Sequence, residues 1–166
     1  MLLGLSLPAF TALHVVISLV AIAAGFVVAV AMSNGRHLPT WTAVFLATTV
    51  LTSVTGFLFP FTKIGPPHVF GVVSLAVLAF AIPALYVFGL DGWWRPVYVL
   101  GSLLCLYLNA VVAIVQAFQK IAFFRALAPT QSEPPFLVAQ LLLLAAIAAL
   151  AVQGARHFPS AAAAAA

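Results

Sequence analysis

Apolar residues run along this chain in long blocks, separated by short stretches rich in proline, glycine and polar residues. A helix needs roughly 20 apolar residues to cross the hydrocarbon core of a bilayer. The blocks predict five such helices, over 8–32, 40–59, 68–90, 97–127 and 136–154. The breaks between them are SNGRHLP, FPFTKIGPP, DGWWRP and APTQSEPPF, and ARHFP ends the last helix. The first block is too long for the core of a signal peptide and has no charged side chain before Arg36, so it is expected to stay as a spanning helix. The fourth is longer than a bilayer requires and is expected to tilt or project. The expected fold is an all-α integral membrane protein, a bundle of five transmembrane helices with a four-helix core and the fifth packed beside it. It forms one domain over 1–157, and 158–166 is a low-complexity tail set aside from functional reasoning.

Five crossings put the two termini on opposite sides. With the N-terminal side called X and the other Y, the second and fourth links lie on X, and the first and third lie on Y. Lys63, Lys120 and Arg125 fall near X, and Arg36, Arg95 and Arg156 near Y. This even split does not fix the orientation by the positive-inside rule. The short Y-side turns, with basic residues close to helix ends, favour a cytoplasmic Y side.

Polar residues inside the apolar blocks follow the helical period. At about 100° per residue, Tyr98, Ser102, Cys105, Asn109, Gln116 and Lys120 share a narrow stripe whose opposite face is Leu, Val, Ala and Phe. The stripe is expected to face the bundle. Topology adds His14 about 9 Å along the first helix, Thr55 near the X end of the second, His68 at the start of the third and Gln140 early in the fifth. Each predicted helix thus carries a polar group in its X-side third, while the Y-side half is nearly bare of them. A cluster of interhelical hydrogen bonds and a ligand pocket open to X both fit this pattern. Ala21, Gly25 and Ala29 form a small-residue face for close packing of the first helix, and Thr48, Thr52 and Thr55 line one face of the second.

Composition narrows the function classes. The chain of 166 residues is 66% hydrophobic and only 5% charged, which leaves too few charges to cover a water-soluble domain. Its six Lys and Arg form no block, so the expected partners are the lipid bilayer and other membrane-protein subunits, with no nucleic acid. A single cysteine, Cys105, excludes an intrachain disulfide and a CxxC site. The only two carboxylates, Asp91 and Glu133, fall in links on opposite sides. No nucleophile–base–acid set can be assembled from them, so an enzyme is not expected.

Histidine chemistry remains. His14 is an ionisable group well inside an apolar helix, where such groups are costly and tend to serve function. His14 and His68 approach from the same side, and two imidazoles across a gap can hold a haem iron axially. His68 starts shallower than His14, so the pairing requires tilt. His37 and His157 lie in Y-side turns and are expected to be solvated.

The phrase RALAPTQSEPPF, preceded by YLNAVVAIVQAFQK, resembles a family of small proteobacterial membrane proteins without an assigned activity. More weakly, His14 and the H-x-x-G of His68 and Gly71 resemble uncharacterised bacterial proteins with a four-helix core, a group compared with histidine-ligated b-type membrane cytochromes. The resemblance implies a multi-pass protein of the bacterial inner membrane and carries no catalytic residue. This chain departs from a two-haem cytochrome in lacking a second histidine on an adjacent helix.

The expected function is therefore an accessory or cofactor-holding subunit of a larger membrane assembly, of the redox kind. The alternatives are a self-contained electron carrier that binds b-type haem or a quinone, and a small transporter or channel. The candidate cofactor-binding residues are His14, His68, Asn109, Gln116, Lys120 and Gln140, with His14 and His68 as candidate ligands of haem iron.

Overall fold

A computed structural model describes residues 4–60 and 65–159. Among them the chain is 81% helix with no strands. Six helices follow one another: α1 Leu7–Ser33, α2 Pro39–Gly56, α3 Pro66–Tyr86, α4 Trp94–Lys120, α5 Ala122–Leu127 and α6 Pro134–His157. Proline opens α1, α2, α3 and α6 within the first two helical positions, where its fixed φ suits the helix and its missing N–H costs nothing. The predicted fourth helix does not run unbroken to 127. Ile121 adopts an extended conformation (φ −89°, ψ 117°), which ends α4 at Lys120 and turns the chain into the short α5.

Four of these helices are long and apolar enough to cross a membrane: α1, α3, α4 and α6. The chain is a multi-pass membrane protein by that measure. The expected fifth crossing, over 40–59, corresponds to the 18-residue α2, which does not reach the same apolar standard. Its composition explains why: four threonines and a serine lie within TTVLTSVT.

Helices α1 to α4 form a ring in chain order, each packed on the next, and α4 closes the ring against α1. The last helix, α6, lies outside it in the groove between α4 and α1. The small-residue face of α1 is used as the sequence implies, with Ala21, Gly25 and Ala29 all buried. A Cβ on Gly25 would sit 2.7 Å from Leu106 of α4 and 2.9 Å from Phe45 of α2, so three helices converge there. The polar stripe of α4 also faces inward: Tyr98, Ser102 and Cys105 are buried, while Leu100 and Leu104 are exposed. The Cys105 thiol donates to the Ser74 carbonyl of α3 at 3.7 Å.

The Y end is closed by the last turn of α6 and the residues after it. Arg95 Nη2 donates to the Ala155 carbonyl at 2.6 Å, and His157 Nδ1 lies 3.1 Å from the Ser33 carbonyl, an orphan acceptor at the end of α1. Phe158, at the start of the segment set aside as a tail, is fully buried against Tyr98 and His37. The expected solvation of His37 is therefore corrected, since its ring packs on Phe158, whereas His157 stays exposed as expected while its Nδ1 reaches the end of α1. Nor is the Y-side half bare of polar groups. Thr42, Tyr98 and Ser102 are all fully buried there, with their hydroxyls grouped around that of Tyr98. These residues are remote in sequence, and only the ring arrangement brings α2 and α4 together at that level.

Candidate functional site at the X end

The four ring helices differ in length. α1 and α4 have 27 residues each, against 18 in α2 and 21 in α3. Short Y-side links, 34–38 and 87–93, hold each pair together at that end. At 1.5 Å per residue, the shorter helices stop roughly 10 Å short of their neighbours on the X side. The first turns of α1 and the last turns of α4 thus rise as walls over the end of α2. Residues 61–64 of the α2–α3 link, including Lys63, lie outside the described residues.

His14 stands at the floor of the step. Its Nδ1 lies 2.7 Å from Thr55 Oγ1, two residues before the end of the α2–link junction at Phe57. Thr55 Oγ1 is also 2.7 Å from the Leu51 carbonyl. The hydroxyl has a single hydrogen. Given to Leu51, it makes His14 Nδ1 the donor; given to His14, it places the ring hydrogen on Nε2. In both tautomers Nδ1 is committed to α2, and Nε2 makes no hydrogen bond among the described residues. Phe59 meets the imidazole edge-on at 5.2 Å, and Phe10 packs on Phe59 at 5.0 Å. Gly56 borders the ring, since a Cβ there would lie 3.8 Å from His14 Cε1. The exposed Lys120, at the end of α4, is within electrostatic range of His14.

The other expected site residues are distributed unevenly. Gln116 is half-buried one turn inside Lys120 on the same stripe. Asn109 lies two turns deeper, with Nδ2 buried and without a partner among the described residues, as is the Thr52 hydroxyl one turn below Thr55. Gln140 is half-buried on α6, outside the ring, and is not brought to the same place as His14. His68 is turned to its own helix start, where Nδ1 accepts from the Gly65 N–H at 3.2 Å, and its ring lies 6.2 Å from Phe57.

These positions allow a test of haem. A histidine ligates iron through a nitrogen that carries no hydrogen. His14 can meet that condition at Nε2 in the tautomer where Nδ1 donates to Thr55. In a neutral His68, an accepting Nδ1 places the hydrogen on Nε2, which removes that nitrogen as a ligand. α1 and α3 also lie across the ring from each other, and Phe59 and Phe57 of the α2 end contact one histidine each. The pair does not fit axial ligation of a single haem. Among the described residues no group of three or more His, Cys, Asp or Glu could hold a metal ion.

The loop over the X end is built from Glu133. Its carboxylate accepts from the Thr130 N–H at 3.1 Å, the Thr130 hydroxyl at 2.9 Å and the Ser132 N–H at 3.1 Å. Gln131, at φ 60°, donates through Nε2 to the Val115 carbonyl of α4 at 2.9 Å and accepts from Gln119 at 3.3 Å. The loop is thereby docked on the last turns of α4. The Phe10–Phe59 contact was not anticipated, although Phe10 and His14 are spaced i, i+4 on one helix face. An ordered APTQSEPPF loop with polar contacts from Gln131 and Glu133 is what its prolines and polar residues imply; its seat on α4 depends on the break at Ile121.

No known protein family matches the chain, and no curated protein or solved structure is similar to it at a significant level.

Proposed function

We propose that this chain is a non-enzymatic subunit of a larger bacterial inner-membrane assembly. In this reading its X-side step holds a lipophilic molecule with a polar head, of the quinone class. The observation that carries the reading is His14, fixed through Nδ1 by Thr55 and leaving Nε2 unengaged beside two aromatic rings. A quinone carbonyl accepts from Nε2–H in one tautomer, and a quinol hydroxyl donates to bare Nε2 in the other. Both redox forms of the same ligand are therefore accommodated. The half-buried Phe59, backed by the buried Phe10, offers a face for its ring, and Lys120 and Gln116 on the α4 wall supply further polar contacts. The absence of a nucleophile–base–acid set in the sequence favours holding over catalysis.

The same reading takes α2 as a fifth crossing. Mean hydropathy undervalues an amphipathic span. Exposed positions on α2 include Trp41, Ala43, Ala47, Leu51 and Val54, all apolar, whereas Thr42, Thr49 and Ser53 are buried. Its hydroxyls also bond to its own backbone, Thr48 to Val44 and Thr49 to Phe45, which lowers the cost of placing them at membrane depth.

The test is purification from native membranes, with extraction of bound lipids for mass spectrometry and an absorption spectrum of the intact protein. Co-extracted quinone that falls at least tenfold in His14→Leu, at unchanged helicity, supports the proposal. A Soret band that shifts in His14→Leu would replace it with the haem carrier.

A further inference from the structure

The structure points to a second site, at the opposite end of the bundle and independent of the first. We propose that the groove between the last turns of α1 and the link to α2 is a binding site for an anionic phospholipid.

The groove encloses about 470 Å³ and is lined by Phe26, Val27, Val30, Ala31, Asn34, Arg36 and Leu38. It forms because the chain leaves α1 with Gly35 at φ 68° and folds back, so that the Arg36 N–H donates to the Ala31 carbonyl at 2.8 Å. One wall is then the outer face of α1, where Val27 and Val30 are exposed. That face is apolar and lies along a membrane-spanning helix, so it meets acyl chains. At its mouth the surface changes character within one turn: Asn34 and Arg36 are both exposed.

The charge at that mouth is unbalanced. The chain has two carboxylates, Asp91 and Glu133. Glu133 is bonded within its own loop at the X end, and Asp91 Oδ1 accepts from the Gly92 N–H. The neighbouring cation Arg95 is turned inward to the Ala155 carbonyl. Arg36, exposed at the mouth and lining the apolar groove, has no carboxylate partner among the described residues. A guanidinium fork matches the geometry of a phosphate diester. A single molecule that offers a phosphate at one end and an acyl chain at the other satisfies both parts, and a net negative headgroup adds to the attraction. A zwitterionic lipid lacks that net charge, and a free phosphate ion leaves the apolar wall uncovered.

The experiment uses the full chain in nanodiscs containing phosphatidylcholine with a minor fraction of phosphatidylglycerol. The protein is then released gently and its retained lipids are counted by native mass spectrometry. An interfacial basic residue contributes about 1 kcal/mol toward anionic lipid, so Arg36→Gln should lower phosphatidylglycerol retention about fivefold. Arg156→Gln, an exposed cation at the same end but outside the groove, should leave it unchanged. Equal losses in both variants would mean a diffuse surface charge and overturn the site. Equal retention of the two lipids by the unmodified chain would overturn it as well. Val30→Asn separates the two halves of the site: it should weaken retention of both lipid classes if an acyl chain lies on α1, and unchanged retention would contradict that placement. Strong binding of inorganic phosphate in detergent, competing with the lipid, would show that the headgroup alone is recognised and reject the groove.

Discussion

Replacing the Thr55 hydroxyl by a methyl group, as in Thr55→Val, isolates what α2 does for His14. The variant keeps shape and removes the partner at 2.7 Å. A half-buried imidazole nitrogen left without its bond costs about 1 kcal/mol, which unfolding titrations in mixed micelles can resolve. His37 is a second residue whose chemistry is set by place. It lies in the link after α1, where burial holds its pKa below the ordinary histidine value, and its Nε2 has no partner among the described residues. The fold therefore resists a proton that the unfolded chain accepts. Its contribution is intact above the unfolded pKa, near 6.5, and stability is lost as pH falls from there toward the lower folded value. Thermal melts between neutral pH and pH 5 should show a steeper fall for the unmodified chain than for His37→Gln. Parallel curves would mean that the ring is solvated after all.

At the scale of elements, the end of the chain does more than its sequence announced. Phe158 is fully buried between Tyr98 and His37, and Phe158→Ala should cost about 3–5 kcal/mol, as other large buried rings do. An unaltered melting temperature would place that ring outside the core. The helical blocks themselves were legible, because long apolar runs between proline-rich breaks leave few other options in a bilayer. So was the inward face of α4, since the period of Tyr98, Ser102 and Cys105 is a local property. The break at Ile121 was not, because no proline or glycine marks it. The sequence expectation of a crossing over 40–59 met a helix whose threonines lower its mean hydropathy while its outer face stays apolar. Phe158 was missed because a phenylalanine beside a proline and an alanine run carries no periodic signal.

For the whole molecule, the ring of α1 to α4 with α6 outside accounts for where polar groups gather. Helices of unequal length leave a step at X, and the stitched end of α6 closes Y. In the proposed reading α2 crosses the membrane beside α1. Single cysteines placed at Asn34 and at Leu58, in sealed vesicles, should react with an impermeant reagent from opposite sides. Labelling of both from one side would mean that α2 turns back, and the ring would then need another environment. The site itself was only partly legible. His14 and Thr55 could be matched by depth, since both are counted from known helix ends, whereas Gln140 is carried on α6, which packs beside the four-helix ring and does not bring it to His14.

The most direct test of the account is equilibrium binding of a short-tailed quinone to the full chain in nanodiscs, followed by protein fluorescence quenching. The account predicts saturable binding that weakens at least tenfold in His14→Leu and by a smaller factor in Thr55→Val, with helicity unchanged in both. Binding of equal strength in all three proteins, or no saturable binding in the unmodified chain, would contradict it.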